Sequence, residues 1–395
     1  MGSDDRWLLP DGIEELLPER ARRVELLRRA LLDLFDRFGY ELVIPPPLEF
    51  ADSLGALGGR DLEPLTFKVT DQLSGRLLAL RPDFTPQTAR MDAHSLRREG
   101  PTRLCYAGSV LYARPRDPFG SRCPIHAGVE LYGEPGLEAD LEVLCLLVEA
   151  LRAVGVEELY LDLGHVGVLR ALEGALDLCN DARAELCELL AAKSCELSPW
   201  LAARVADSRL AGWLAALPEL SGGPETVARA RALLAGAPPA VGRALDEIEA
   251  VLARLAEAFP GLAVYVDLGE LESYHYHTGL VFAAYSPAAH RPLGNGGRYD
   301  GIGAHFGRAR PATGFTLDLK ALIDLIPAGP ARGAIYAPPS GDPRLREYVR
   351  ALRERGERVV QGMPGAPADP RALGCDRVVV ARGDGFALEA VERGD

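Results

Sequence analysis

The segment YHYHTGLVF, residues 274–282, places four polar rings at consecutive positions before a threonine, a glycine and a short apolar run. The side chains of Tyr274, His275, Tyr276 and His277 are hydrogen-bond donors and acceptors. A core strand does not need this concentration of titratable rings. The pattern therefore indicates a role beyond packing.

The segment LLALRPDFTPQTAR places Arg81, Asp83 and Thr85 directly after a strand-like run, where side chains can face a pocket from a rigid edge. An acid followed two residues later by threonine is also typical of a helix start, where the acid caps backbone N–H groups. On these residues alone, the capping role is the more common one.

Glu130 lies in the alternating segment HAGVELYG, with Val129 and Leu131 on the opposite face of the predicted strand. A carboxylate in such a strand is either solvent-facing or a buried recognition group, and the solvent-facing position is the more common. The segment GNGGRYDG, residues 294–301, contains four glycines. They either allow a ligand close to the backbone or only form a turn.

Hydrophobic periodicity predicts the elements that position these residues. Apolar side chains at intervals of three and four predict an N-terminal helix that ends at Gly39. The apolar positions of this helix are Val24, Leu27, Leu31, Leu34, Phe35 and Phe38. YELVIPPPLEF predicts extended chain, and it is followed by a hairpin of TFKVTD and RLLALRP and by strands in RLCYAGSVLYA and IHAGVELYG. A further helix is predicted at about 138–154.

Alanine- and leucine-rich helices are predicted from about 166 to 258, as an all-helical insertion between two strand-rich parts. Strands resume in LAVYVDLGELESYHYHTGLVFAAY, and residues 328–333 form a predicted linker. After the linker, GAIYAPPS, a helix from Pro343 to Arg355, ERVVQ and DRVVVAR predict a small α/β unit.

The composition limits the function classes. The chain has 395 residues, is 48% hydrophobic and carries a net charge of −13, so a globular protein is expected and any nucleic-acid surface would have to overcome the overall repulsion. Seven cysteines without C-x-x-C spacing indicate neither a zinc site nor a disulfide framework, and no metal or cofactor is expected. Because no apolar segment reaches about 18 residues, we expect a cytoplasmic protein without a membrane partner.

In their order along the chain, these motifs resemble histidyl-tRNA synthetase. The matching segments are PDGIEELLP, GYELVIPPPLE (like the dimer-forming first motif of class II synthetases), RPDFT, GVELYG at the end of the second motif, YHYHTGLVF in the histidine-specific element and GGRYDG before the third motif. The resemblance spans residues 1–325. It implies an α+β fold of the class II aminoacyl-tRNA synthetase type, with a mainly antiparallel sheet, flanking helices and the helical insertion in residues 1–327. A small C-terminal α/β domain is expected in residues 333–395.

Three positions depart from a working synthetase. The resemblance implies phosphate-binding arginines where this chain has Tyr112 and Ala321, and a catalytic arginine where it has Glu272. Activation of a carboxylate by ATP concentrates negative charge in the transition state, which requires fixed cations. The C-terminal unit is also short for an anticodon-binding domain. We therefore expect neither synthetase activity nor a tRNA partner.

The motifs resemble more closely the synthetase paralogues that serve as regulatory subunits of the short form of ATP phosphoribosyltransferase. This resemblance implies a non-catalytic subunit that binds the catalytic phosphoribosyltransferase subunit, supports the first step of histidine biosynthesis and transmits allosteric inhibition by histidine. It implies a homodimer within a hetero-oligomer.

The same resemblance implies a pocket for L-histidine, either working or vestigial. The implied site residues are Asp83, Thr85, His126, Glu130, Tyr274, His275, Tyr276 and His277. In this family an arginine usually stands at the positions of Tyr112 and Glu272, a glycine at that of Ser273 and a glutamine at that of His126.

Two other hypotheses stay open. In the first, the chain is a divergent histidyl-tRNA synthetase that uses Arg114, Arg122 or Lys320 in place of the missing arginines. In the second, it is a free-standing regulator of another enzyme that binds histidine or tRNA.

Overall fold

The computed structural model describes residues 7–54, 62–116, 120–176, 178–269, 277–326, 333–365 and 369–391. The chain divides into two compact units, Met1–Pro327 and Ala328–Asp395. Most of the predicted linker at 328–333 lies outside the described residues. None of the helices in the described part of the chain is both long and apolar enough to cross a bilayer.

The first unit contains both helices and strands. Its helices are α1 Pro18–Arg37, α2 Thr85–Arg90, α3 Leu137–Ala153, α4 Val166–Glu173, α5 Asn180–Ala191, α6 Leu197–Arg204, α7 Ser208–Ala216, α8 Thr226–Leu233, α9 Pro239–Ala258 and α10 Leu319–Leu325. Its strands are β1 Glu41–Leu42, β2 Leu48–Phe50, β3 Lys68–Thr70, β4 Leu77–Leu80, β5 Thr102–Ser109, β6 Ile125–Tyr132, β7 Tyr160–His165, β8 Ser221–Gly222, β9 Ala263–Asp267, β10 Leu280–Tyr285, β11 Gly294–Arg298 and β12 Ala312–Asp318.

The main sheet has the strand order β1-β5-β6-β12-β11-β10-β7-β9-β8. The pairs β1–β5 and β7–β9 are parallel and the other neighbours are antiparallel, so the sheet is mainly antiparallel as predicted. Among the strands of the main sheet, β12 is the last in sequence, but it lies in the interior of the sheet, fourth in the spatial order. Its residue Gly314 pairs with Glu130 of β6 on one side and with Gly297 of β11 on the other.

Helix α1 packs its predicted apolar face into the core of this unit. Five of the six predicted apolar positions are buried, namely Val24, Leu27, Leu31, Leu34 and Phe35. Phe38 is partly buried and directly follows the last helical residue. Gly39 adopts a φ of +80°, which ends the helix at the predicted residue, since this left-handed conformation favours glycine.

The predicted insertion, residues 166–258, contains helices α4 to α9 and also strand β8. The prediction that it is all-helical is therefore wrong at the segment LPELSGGPET. Ser221 and Gly222 of this segment pair with Asp267 and Val266 of β9. Without β8, the outer backbone groups of β9 would form an unpaired sheet edge.

Strands β2, β4 and β3 form a separate antiparallel sheet, which contains the predicted hairpin of residues 66–82. The chain then enters α2 and continues through a π-helical turn, Met91–Leu96. Thr85 is the first residue of α2, and its N–H donates to the Asp83 carboxylate at 3.3 Å. The helix-start contact predicted for Asp83 is thus present.

The second unit is a small α/β structure with its own apolar core. Its elements are β13 Ile335–Ala337, α11 Pro343–Glu354, β14 Val359–Gln361, β15 Arg377–Arg382 and β16 Gly385–Ala390, with the sheet order β14-β13-β15-β16. Strand β16 was not predicted. It pairs antiparallel with β15 through a two-residue turn at Gly383 and Asp384, in which Gly383 has a φ of +56°.

Among the described residues of the first unit, two ion pairs have both side chains buried. Arg298 of β11 contacts Asp140 of α3 at 2.8 Å, and their side chains are 8% and 3% exposed. Arg310 contacts Asp92 at 2.7 Å, with side chains that are 9% and 3% exposed. Both pairs join segments that are distant in sequence.

The substitution Arg298→Met is expected to lower the free energy of unfolding by about 3–5 kcal/mol, because it leaves the Asp140 carboxylate buried without its cation. The three tryptophans all lie in the first unit, so urea unfolding followed by tryptophan fluorescence reports on this change.

Arg231→Met is the matched control, because Arg231 contacts Asp246 and Glu249 on the surface. This substitution is expected to lower the free energy of unfolding by less than about 1 kcal/mol. An equal loss of stability in the two variants would contradict the importance of the buried pair.

Candidate functional site

Glu130 lies on strand β6, between β5 and β12 in the main sheet, and has only 1% of its surface exposed. Its Oε1 atom accepts hydrogen bonds from the hydroxyl groups of Thr85 at 2.7 Å and Tyr106 at 3.2 Å. For its Oε2 atom, no hydrogen-bond partner is found within the described part of the chain. The solvent-facing interpretation of Glu130 is therefore wrong, because helix α2 brings Thr85 over this face of the sheet.

Two glycines on the same sheet face allow polar side chains to lie close to the backbone. A Cβ atom at Gly314 would overlap the Oε2 atom of Glu130, and one at Gly297 would lie 2.6 Å from the ring of His277. Both contacts are closer than real Cβ atoms make. Side chains at these two positions would therefore displace Glu130 and His277.

The site contains two carboxyl groups with raised pKa values. Burial raises the pKa of Glu130 well above 4.5, and the nearby Asp83 adds to this rise, while the hydrogen bonds from Thr85 and Tyr106 oppose it. Burial also raises the pKa of Asp83, against the opposing effects of Arg116 and of the Thr85 backbone N–H. Such carboxyl groups are suited to a ligand that brings N–H donors or a positive charge.

His126 lies on the same face of β6 as Glu130, about 13 Å away along the strand. Its ring is buried, and no partner for its Nδ1 atom is found among the residues that the structure describes. Burial, together with the guanidinium groups of Arg116, Arg81 and Arg291, lowers the pKa of His126 to about 3. The ring is consequently neutral near pH 7.

Tyr112 is buried beside His126, with the two rings edge-on and their centroids 6.5 Å apart. The guanidinium carbon of Arg116 lies 4.9 Å from the centroid of the Tyr112 ring. Burial raises the pKa of Tyr112 to about 12, so its phenol is neutral. The position therefore offers no cation of its own.

Of the cations considered as substitutes for the missing arginines, Arg122 already has structural partners. Its Nε atom donates to the Tyr112 carbonyl at 3.0 Å, and its Nη1 atom donates to the Asp11 carbonyl at 2.9 Å. Arg122 thus holds the N-terminal segment against the second motif. Arg114 is exposed.

Lys320, the third of these cations, is 4% exposed and also has protein partners. Its ammonium group lies 3.0 Å from the Glu14 carboxylate and 3.3 Å from the Cys123 sulfur. The neighbouring Ala321 is buried at the position where the resemblance implies a phosphate-binding arginine. Arg122 and Lys320 both contact protein groups that they would have to leave in order to bind a phosphate.

The structure brings several predicted site residues together. Thr85 contacts Glu130 directly, and Asp83 contacts the backbone of Thr85. His277 is buried, with its ring edge-on to Tyr299 and the centroids 6.2 Å apart. The predictions for Tyr274, His275 and Tyr276, and the comparison at Glu272 and Ser273, lie outside the described residues.

Tyr106 is a site residue that the sequence analysis missed. Its hydroxyl group contacts Glu130 and, at 2.7 Å, the Thr316 hydroxyl group, and its ring stacks on Phe84 with centroids 4.4 Å apart. Alternation along RLCYAGS places Tyr106 and Gly108 on one face of β5. The sequence contains no indication that this face meets Glu130, because that depends on the pairing of β5 with β6.

Two protein families match the chain. Residues 12–322 match the histidyl-tRNA synthetase family, and residues 332–389 match the C-terminal domain of the ATP phosphoribosyltransferase subunit HisZ. The chain is 51% identical over 388 residues to the ATP phosphoribosyltransferase regulatory subunit of Pseudomonas aeruginosa, covering 97% of both chains. It is 48% identical over 394 residues to the protein of the same name from Teredinibacter turnerae, covering 99% of this chain and 100% of the relative.

Solved structures confirm the predicted class II synthetase-like fold. A protein from Bacillus halodurans, described as an ATP phosphoribosyltransferase regulatory subunit/histidyl-tRNA synthetase, superposes with a TM-score of 0.84 at 28% identity, covering 96% of this chain and 99% of that chain. The histidyl-tRNA synthetase of Nostoc sp. PCC 7120 has a TM-score of 0.75 at 16% identity, covering 97% of both chains, and supports the fold alone.

The substitution Glu130→Gln is expected to reduce the pH dependence of stability. Because the pKa of Glu130 is raised in the folded state, the folded protein binds a proton that the unfolded chain releases. This stabilisation is complete below about pH 4.5 and is lost as the pH rises toward the folded-state value. Urea unfolding at about pH 5 and about pH 8 should therefore show a smaller loss of stability for the variant than for the wild type.

The control is Glu347→Gln, at an exposed position of the second unit. It should leave the difference between the two pH values unchanged. An identical pH dependence in Glu130→Gln and the wild type would show that Glu130 is ionised as easily in the folded protein as in the unfolded chain.

Proposed function

Because this chain belongs to the family of ATP phosphoribosyltransferase regulatory subunits, we propose that it binds a short-form catalytic phosphoribosyltransferase subunit and supports the first step of histidine biosynthesis without activating histidine itself. Its core, residues 12–322, matches the histidyl-tRNA synthetase family, to which regulatory subunits of this kind are paralogous. The observation that supports this function best is a site that keeps a buried acid for ligand binding but places no arginine at the described phosphate positions.

The positions of the cations support the proposal that the chain does not activate histidine. Transfer of an adenylyl group requires preorganised positive charge at the phosphates. Tyr112 and Ala321 occupy two of the implied arginine positions, while Arg122 and Lys320 hold the N-terminal segment. Of the three cations that the divergent-synthetase hypothesis invokes, Arg122 and Lys320 would have to leave their present partners, and Arg114 is exposed.

We propose that the pocket binds L-histidine. The Glu130 carboxyl group, buried and with an Oε2 atom that has no partner in the described part of the chain, suits an imidazole N–H. Asp83 is only partly buried and suits the α-ammonium group. Inhibition would then arise because histidine bound to this subunit weakens substrate binding on the catalytic partner. The coupling free energy between two such sites is typically about 1–3 kcal/mol.

We also propose that the subunit forms a homodimer through its first motif. Strand β1 is short and lies at the edge of the main sheet, beside a proline-rich segment. Three apolar side chains here face solvent in the single chain: Leu42 is 50% exposed, Ile44 is 85% exposed and Leu48 is 38% exposed. Apolar exposure of this kind along one segment is typical of a protein interface.

Mixing the protein with a short-form catalytic subunit is expected to give a complex that co-purifies and is active as a phosphoribosyltransferase, with activity reduced by L-histidine. Glu130→Gln should retain assembly and lose the response to histidine, because the substitution removes an acceptor that is far from the subunit surface. The isolated protein should show no histidine-dependent exchange of pyrophosphate into ATP. Robust exchange would support the divergent-synthetase hypothesis instead.

Light scattering at micromolar concentration is expected to give the mass of a dimer for the isolated protein. Ile44→Glu should yield a monomer, because it places a charge in the proposed apolar interface. Leu73→Glu is the control, since Leu73 is 97% exposed on the β3–β4 turn outside this segment. A monomeric wild type would refute the interface.

A further inference from the structure

Three arginine side chains surround His126 from three different segments. On β5, Gly108 pairs with His126, and a Cβ atom at Gly108 would lie 3.2 Å from the Nη2 atom of Arg81. On the other side, His126 pairs with Asp318 of β12, whose carboxylate lies 3.3 Å from Arg291. This places one guanidinium group over each neighbour of His126 in the sheet.

The third guanidinium group approaches across Tyr112. This ring lies edge-on to His126, and Arg116 lies over its face at 4.9 Å. The local charges are three arginines and two acids, Asp83 and Asp318. Burial raises the pKa of both acids, while Arg116 opposes the rise at Asp83 and Arg291 opposes it at Asp318. In a chain of net charge −13, this is a local concentration of positive charge.

These arginines differ in how far they are already engaged. Arg81 donates to the carbonyl oxygens of Ser109 at 2.9 Å and Pro45 at 2.9 Å, so it has a structural role. Arg291 contacts Asp318 with 38% of its side chain exposed. Arg116 is exposed, lies over an aromatic ring and interacts electrostatically with Asp83. Arg116 is thus the best placed to reach an incoming anion, with Arg291 second.

We propose that Arg116, assisted by Arg291, binds the α-carboxylate of an amino-acid ligand whose α-ammonium group lies at Asp83. The neighbouring Asp83 and Arg116 form an acid and a base that match the two charges of a zwitterion. His126 adds a buried ring nitrogen without a partner in the described residues at the same end of the pocket. This assignment rests on the proposed histidine pocket and extends it.

Glu130 and His126 lie on one face of β6, about 13 Å apart. Tyr106 covers the backbone between them, since a Cβ atom at Gly128 would lie 2.6 Å from the Tyr106 hydroxyl oxygen. A ligand with its imidazole N–H at Glu130 and its charged end at Asp83 and Arg116 would therefore lie against the Tyr106 side chain and not against the strand backbone.

Calorimetric titrations with L-histidine and with L-histidinamide test the assignment, because the amide keeps the ring and the ammonium group but lacks the negative charge. The wild type is expected to bind L-histidine at least about tenfold more tightly than the amide. Arg116→Gln should weaken L-histidine binding by about tenfold or more and leave the affinity for the amide nearly unchanged. Arg291→Gln should have the same effect at smaller magnitude.

Arg209→Gln is the matched control. Arg209 is an exposed arginine that also lies over an aromatic ring, Trp213, at 5.1 Å, but it belongs to the helical insertion. It should bind both ligands like the wild type. Urea midpoints for all variants establish that folding is intact.

Two negative results have different meanings. If Arg116→Gln and Arg291→Gln still prefer L-histidine to the amide as strongly as the wild type does, the carboxylate assignment is wrong while the histidine pocket stands. If the wild type binds neither ligand at millimolar concentration, both the proposed histidine pocket and the carboxylate assignment are wrong.

Discussion

The site depends on the buried carboxyl group of Glu130. This group packs against β12 at Gly314, which has no side chain. Burying a carboxyl group is unfavourable unless it is neutral or well hydrogen-bonded. Thr85 and Tyr106 supply two hydrogen bonds to one oxygen atom, and Gly314 supplies the space for the other. Helix α2, strand β5 and strand β12 must all be in register for this arrangement to exist.

Several cations of the described chain serve the fold. Arg122 and Lys320 fasten the N-terminal segment to the core, and the buried Arg298 and Arg310 pair with acids in the fold. These four cations therefore have structural roles. Arg122 contacts the backbone of Tyr112, and Lys320 is the neighbour of Ala321, so two of them lie beside positions where the resemblance to a synthetase implies phosphate-binding arginines.

Local patterns predicted the elements whose residues interact mainly with their own segment. Helix α1 shows a regular apolar face and a glycine stop, and the β3–β4 hairpin has a clear turn. Strand β16 was missed although Gly383 and Asp384 form a typical two-residue turn, because the segment after them is only partly apolar. Strand β8 has two residues and no apolar alternation, and it exists only because β9 provides an edge.

The site was harder to predict than the fold, since it depends on which strand faces meet. The acids and histidines could be identified from motifs, but the burial of Glu130 and the part played by Tyr106 follow from the register of β5, β6 and β12. The same is true of Arg81, Arg116 and Arg291, which lie far apart in the sequence. No local pattern relates them to His126.

The central position of β12 also has a consequence for biosynthesis of the protein. Strands β6 and β11 are neighbours only through β12, which is the last strand of the unit to leave the ribosome. Until about residue 318 has been synthesised, the two halves of the sheet each present an unpaired strand edge, which is a template for wrong pairing. Because the contacts that close the sheet join segments nearly 200 residues apart, the nascent chain should fold late and slowly and should depend on protection from aggregation until then.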